Sequence, residues 1–144
     1  MPKIEKITKQ TENPYVNLYL VEGKNKVDHL FRYYVASRAK TMEALKIKTK
    51  KNTPDGVLMY SLYGEKRDKI VLVRQYRVSI DDYIYEFPAG LVESGEEFHE
   101  AAVREMHEET GLTFHPLKVD PCYEKPFFTT IGMTDEACSA VYGW

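Results

Sequence analysis

The sequence predicts an α/β fold, and two observations carry that prediction. Most of the chain alternates between short runs rich in β-branched and aromatic residues and turn-forming clusters. Between two such runs lies one stretch with helical periodicity, Gly90 to Leu112, reading GLVESGEEFHEAAVREMHEETGL. With 144 residues, 43% hydrophobic and 29% charged, the chain is by length alone most simply one domain, long enough to bury a core.

Residues 15–22 (YVNLYLVE) and 29–37 (HLFRYYVAS) read as two strands, and GKNKVD between them supplies the turn of a hairpin. From Arg38 to Pro54 the composition becomes Lys-rich and polar, and TKKNTPDG marks a loop. The expected boundary falls there, with an N-terminal β region over 1–50 and a second domain over 51–144. Lysines 46, 48, 50 and 51 suit a solvated linker, or a phosphate-attracting patch. A second hairpin follows, with VLMYSLY (57–63) joined through GEKRD to KIVLVRQYR (69–77). SIDD then turns the chain into the strand YIYEFPAG (83–90). After the helix, TDEACSAVYGW again has strand composition.

In the helical stretch, Ser94 and Glu97 have the spacing of a capping box, and Gly111 suits the left-handed residue that ends a helix. Phe98, Ala101, Ala102 and Met106 form one apolar stripe at about 100° per residue. Glu105 and Glu109 fall inside that stripe and Glu108 lies at its edge. Carboxylates facing a core are costly unless compensated, and two of them one turn apart repel. A hard divalent cation such as Mg²⁺ or Mn²⁺ resolves both problems; the other reading is an ordinary solvated acidic face. His99 and His107 fall on the opposite, solvated side, and no Ser–His–Asp or Cys–His arrangement stands out.

A net charge of −2 gives no electrostatic footprint for nucleic acid or an anionic membrane. No apolar run approaches the roughly 20 residues of a membrane-spanning helix. Cys122 and Cys138 have no metal-ligand spacing and read as reduced thiols. MPKIEKITKQTENP lacks the apolar run of a secretory signal, so the expectation is a cytoplasmic protein.

Gly90, Glu96, Arg104, Glu105, Met106, Glu108, Glu109, Gly111 and Leu112 match G-x5-E-x7-R-E-U-x-E-E-x-G-U at every fixed position, where U is a bulky aliphatic residue. This stretch resembles the Nudix box, the signature of the Nudix hydrolases. The resemblance implies an α/β/α sandwich with a mixed sheet, and a Mg²⁺-dependent (or Mn²⁺-dependent) hydrolysis of a nucleoside diphosphate linked to another group. It implies Glu105 and Glu109 as main metal ligands, Glu108 as a further or water-mediated ligand, and the backbone carbonyl of Ala89 completing the site. Gly90, Glu96, Arg104 and Gly111 take structural roles, with Glu96 and Arg104 pinning loop to helix.

The approach RQYR…YEFPAGLVE resembles the ADP-ribose and nucleotide-sugar pyrophosphatase branch, in which Arg77 and Glu86 would line the substrate pocket. A strand-end surface arginine and a cross-strand pair for Glu86 are the plainer alternatives. Pro126 stands where that branch carries a proline, whereas Ile131 occupies a place where proline is usual. The branch implies a homodimer built through the N-terminal β region, and hydrolysis of ADP-ribose to AMP and ribose 5-phosphate. The alternative is a nucleotide-binding or regulatory module of the same fold with little turnover. The ending ACSAVYGW reads as a domain cut within a strand, before the segment that would carry a catalytic base. Asp135 and Glu136 are the acids near that end.

Overall fold

A computed structural model describes residues 2–144, and the chain folds as two compact units. One comprises the described residues 2–53 with 128–136; the other comprises 54–127 with 137–144. Segment 128–136, expected in the second domain, thus packs with the first.

The first unit is built on an antiparallel sheet in the order β1 (Lys3–Lys9), β2 (Asn17–Lys24), β3 (Leu30–Ser37). The expected hairpin is β2–β3. β1 is an addition, a charged strand (KIEKITK) of the kind that blunts a sheet edge. Central β2 supplies the buried Tyr19, Leu20 and Val21. A single helical turn, α1 (Lys46–Thr49), closes with Lys50 in the left-handed conformation. Loop 128–136 lies along β3: Ala36 N–H donates to Met133 O (2.9 Å) and Asp135 N–H to Ala36 O (3.3 Å). Arg38 Nε donates to Glu136 Oε1 at 2.6 Å. Asp135 accepts from the Lys46 N–H, so both acids near the C-terminal end have structural partners in this unit.

The second unit centres on β4 (Gly56–Tyr63). Its partner on one edge is β10 (Ala137–Gly143), parallel, with Val57 beside Ser139 and Met59 beside Val141. The other edge carries β5 (Lys69–Ile70) and β8 (Ala89–Leu91), both antiparallel, so the sheet is mixed as expected. Two predicted strands are broken. The run 69–77 divides into β5 and β6 (Val73–Arg77), and 83–90 divides into β7 (Asp82–Glu86) and β8. Between the breaks the chain departs from β4's edge, with Val71 N–H still on Ser61 O and Met59 N–H on Pro88 O. The departing segment forms the β6–β7 hairpin, with Asp81 at φ 53 in its turn. Pro88 has no N–H to offer a ladder, a local reason for one break. The two-residue β9 (Phe127–Phe128) lies where the second unit passes into the first.

Helix α2 (Phe98–Thr110) crosses one face of this sheet. Ala101, Ala102 and Met106 are fully buried against Val57, Met59 and Val141, with Phe114 and Leu112 closing the cluster. The predicted stripe is therefore the packing face. Gly111 ends the helix at φ 71, as expected. The start is corrected: the cap is Glu97, which accepts from His99 N–H at 2.8 Å, and not Ser94. Ser94 sits in a tight turn with Gly95 at φ 86, where Glu96 Oε2 accepts from the Glu93 N–H. No helix among the described residues is long and apolar enough to cross a membrane.

Candidate metal and pyrophosphate site

The loop from β8 into α2 is held by one side chain. Arg104 Nε and Nη2 donate to Glu96 Oε1 (2.9 Å) and Oε2 (3.0 Å), a bidentate pair. Nη2 also donates to Leu91 O (3.0 Å), and Nη1 reaches Glu105 Oε1 (2.9 Å) and Glu108 Oε2 (3.4 Å). Arg104 so ties the strand end, the turn and the helix together. The hydrogen bonds from Arg104 and from the Glu93 amide hold the Glu96 carboxyl below its usual range.

The three helix glutamates differ in surroundings. Glu105 is half-buried, with its side chain packed against Gly90. A Cβ built on Gly90 would fall 1.9 Å from Glu105 Cδ, so a glycine at this position is what makes room for the carboxylate. Glu109, four residues on, accepts from the Ala89 N–H at 3.2 Å. Its carboxyl pKa is raised, first by desolvation and then by the charges of Glu105 and Glu86, against the Ala89 hydrogen bond and Arg77. Glu108 is exposed and lies 3.4 Å from Arg104 Nη1.

Arg77 and Glu86 belong to the same neighbourhood. Residues 77 and 86 share one face of the β6–β7 hairpin but lie at opposite ends of its register. The Arg77 side chain reaches back along that face, placing Nε 3.3 Å from Glu86 Oε2 and Nη2 2.7 Å from Oε1. The second approach is off the hydrogen-bonding direction, which leaves Oε1 buried without a hydrogen-bond partner. The arrangement observed is thus the plainer one, a cross-strand pair for Glu86.

Glu86, Glu105, Glu109 and the Ala89 backbone accordingly gather at one end of the loop and helix, with Arg77 beside them. The inward-facing acids are not left wholly to a cation, contrary to expectation: Arg104 already compensates Glu105, and Glu109 keeps an accessible edge. Among the described residues no three acidic side chains converge on a point as they stand. Glu105 and Glu108 must turn from Arg104 to share a ligand. The donor set still fits a hard divalent cation: carboxylate oxygens and a strand-end carbonyl, mutual repulsion between neighbouring carboxylates, and a glycine cradle holding one of them in place.

Sequence reasoning missed His99. It is half-buried, stacked on Phe98 at 4.1 Å, and set between two acids rather than solvated. Nδ1 lies 3.1 Å from Glu97 Oε2 and Nε2 2.7 Å from Glu124 Oε1. Partial burial pulls its pKa down, but the hydrogen bonds to Glu124 and Glu97 outweigh that and leave it raised. The signal was absent because Glu124 is distant in sequence.

Comparison with known proteins bears on this geometry. The family model described as the NUDIX domain matches residues 52–142. The chain is 35% identical over 80 residues to an ADP-ribose pyrophosphatase of Saccharomyces cerevisiae, covering 54% of this chain and 35% of that protein. It is 36% identical over 87 residues to an ADP-sugar pyrophosphatase of Mus musculus, covering 58% and 40%. With an ADP-ribose pyrophosphatase of Bacillus subtilis it shares 44% identity over 61 residues, covering 42% and 33%. The chain therefore matches well under half the length of each of these relatives. A solved ADP compounds hydrolase superimposes with a TM-score of 0.73 at 19% identity, over 99% of this chain and 66% of that one. The likeness covers the fold.

Proposed function

This chain belongs to the NUDIX family, and from that premise we propose that it is a pyrophosphohydrolase that splits ADP-ribose, or a closely related nucleotide sugar, into AMP and ribose 5-phosphate. The single observation that carries the reading is the gathering of Glu105, Glu109 and the Ala89 backbone on a glycine-cradled loop and helix, with Arg77 and Glu86 alongside. Relatives whose names specify ADP-ribose and ADP-sugar pyrophosphatases support the substrate class.

Glu105, Glu109 and the carbonyl of Ala89 would hold Mg²⁺, or Mn²⁺, with Glu108 joining directly or through water. Such an ion neutralises phosphate charge, orients the pyrophosphate and makes bound water acidic enough to react near neutral pH. The protein's own part is positional. Arg104, anchored on Glu96 and Leu91 O, fixes the helix against the loop and offers Glu105 an alternative partner when no ligand is present. Arg77 carries a planar fork suited to a phosphate, and its incomplete pairing with Glu86 Oε1 makes it exchangeable for a substrate oxygen. In the net reaction the water oxygen bonds to one phosphorus, the bridging P–O bond breaks, and each product leaves with a phosphate group.

The N-terminal β region would join two copies of the chain, a reading supported by the exposed Leu30, Tyr33 and Tyr34 of β3. Sedimentation velocity on wild-type and Tyr34→Glu protein tests it; a monomer at micromolar concentration would remove this part alone. For the reaction, incubation with ADP-ribose and Mg²⁺ followed by chromatography should show AMP and ribose 5-phosphate in equal amounts. Absence of AMP from ADP-ribose and from a panel of nucleotide sugars would overturn the enzymatic reading.

A further inference from the structure

Resting on that reading, we infer that Gly56 is a positioning residue for the cation-holding loop: the space left by its missing side chain is what seats the Gly90 carbonyl. Gly56 is buried at the start of β4, paired with Leu91 on one side and Cys138 on the other. Its φ is not in the left-handed region, so backbone conformation does not call for glycine there. Glycine within a strand weakens it, and it persists where another backbone must come close. Here a Cβ would lie 2.8 Å from Gly90 O and 3.3 Å from Cys138 Sγ. The first contact is with main chain, which has no flexible end to move aside.

Two glycines are thus stacked in series. Gly56 admits the peptide of Gly90, and Gly90 admits the carboxylate of Glu105 above it. The peptide that Gly56 seats directly follows the Ala89 carbonyl, so a push from beneath disturbs both a carbonyl and a carboxylate of the same donor set. Mg²⁺ and Mn²⁺ call for near-octahedral oxygen positions, whereas Ca²⁺ accepts irregular ones. A displacement of several tenths of an ångström should therefore be read as a change in cation preference, beyond any change in stability.

Calorimetric titration of the 144-residue chain with Mn²⁺ alone, and separately with Ca²⁺, tests this. Gly56→Ala should weaken Mn²⁺ binding about tenfold, as supporting residues behind metal ligands do, while Ca²⁺ affinity stays within about twofold. Gly56→Ala/Cys138→Ala relieves the thiol contact and leaves the Gly90 contact, so it should melt higher than the single variant with the same Mn²⁺ deficit. Unchanged Mn²⁺ affinity in a folded variant overturns the inference. Equal losses for both cations, or failure of both variants to fold, overturns it too, because Gly56 would then serve the sheet alone. A wild-type chain that binds no Mn²⁺ refutes the proposed function itself.

Discussion

Replacing Gly90 by Ala is the sharpest single perturbation of the site. Gly90 has no left-handed φ, so alanine fits its backbone without strain, and the three atoms nearest the added methyl all belong to Glu105. It would stand 1.9 Å from Glu105 Cδ and 2.3 Å from Oε1. Two carbons settle near roughly 3.5 Å, so the carboxylate must retreat by roughly 1.5 Å. Misplacing a catalytic group by about 1 Å costs on the order of 100-fold in rate, equivalent to about 2.7 kcal/mol of barrier. ADP-ribose hydrolysis, measured as AMP released under saturating Mg²⁺, should fall at least that far, while urea denaturation shows a folded protein. Gly95→Ala is the control. There a Cβ meets open space but the φ of 86° is unfavourable, so stability should drop by about 1 kcal/mol with turnover nearly unchanged. Wild-type turnover in Gly90→Ala would refute the claim that Glu105 needs the space left open over Gly90.

Three further outcomes follow from named contacts. Glu109→Gln can still accept the Ala89 N–H, so the fold should persist while Mg²⁺-dependent turnover disappears; substantial residual rate would move the site elsewhere. Met106→Ala empties a fully buried position between α2 and the sheet and should cost about 3 kcal/mol in chemical denaturation. His99 has a raised folded-state pKa, so its stabilising contribution is complete below its ordinary 6.5 and fades as pH climbs through the raised value. His99→Asn should accordingly destabilise the chain at pH 5.5 more than at pH 8.5; an equal loss at both would show that His99 acts through packing on Phe98.

What could be read from the sequence was whatever depended on neighbours along the chain. The stripe Ala101–Ala102–Met106 repeats at helical spacing, and it is the buried face. Gly111 closes the helix for the conformational reason that made it recognisable. The same local logic failed at Ser94, because a turn built on Gly95 and Glu96 placed the cap three residues later. The strand runs 69–77 and 83–90 looked continuous since nothing local marks where the chain leaves β4's edge; that departure is set by pairing at Val71 and Pro88. β1 escaped notice because its lysines mask the apolar Ile4 and Ile7.

The site divides in the same way. Glu105, Glu108, Glu109 and the Glu96–Arg104 pair share one loop and helix, so their spacing exposed them. The reach of Arg77 along its hairpin to Glu86, and the approach of both to Glu109, depends on strand pairing and packing that no pattern of residue types records. The extra duties of Arg104 towards Glu105 and Leu91 O are likewise three-dimensional. They change the physics of the site, since a compensated Glu105 is stable before any ligand arrives.

Anomalous diffraction from Mn²⁺-soaked crystals tests the central claim most directly. The account predicts a peak within coordinating distance of the Ala89 carbonyl and the Glu105 and Glu109 carboxylates, with Glu105 turned from Arg104, and no such peak in Glu109→Gln. A map without a peak there, or with Mn²⁺ bound only at acids outside the β8–α2 segment, would contradict it.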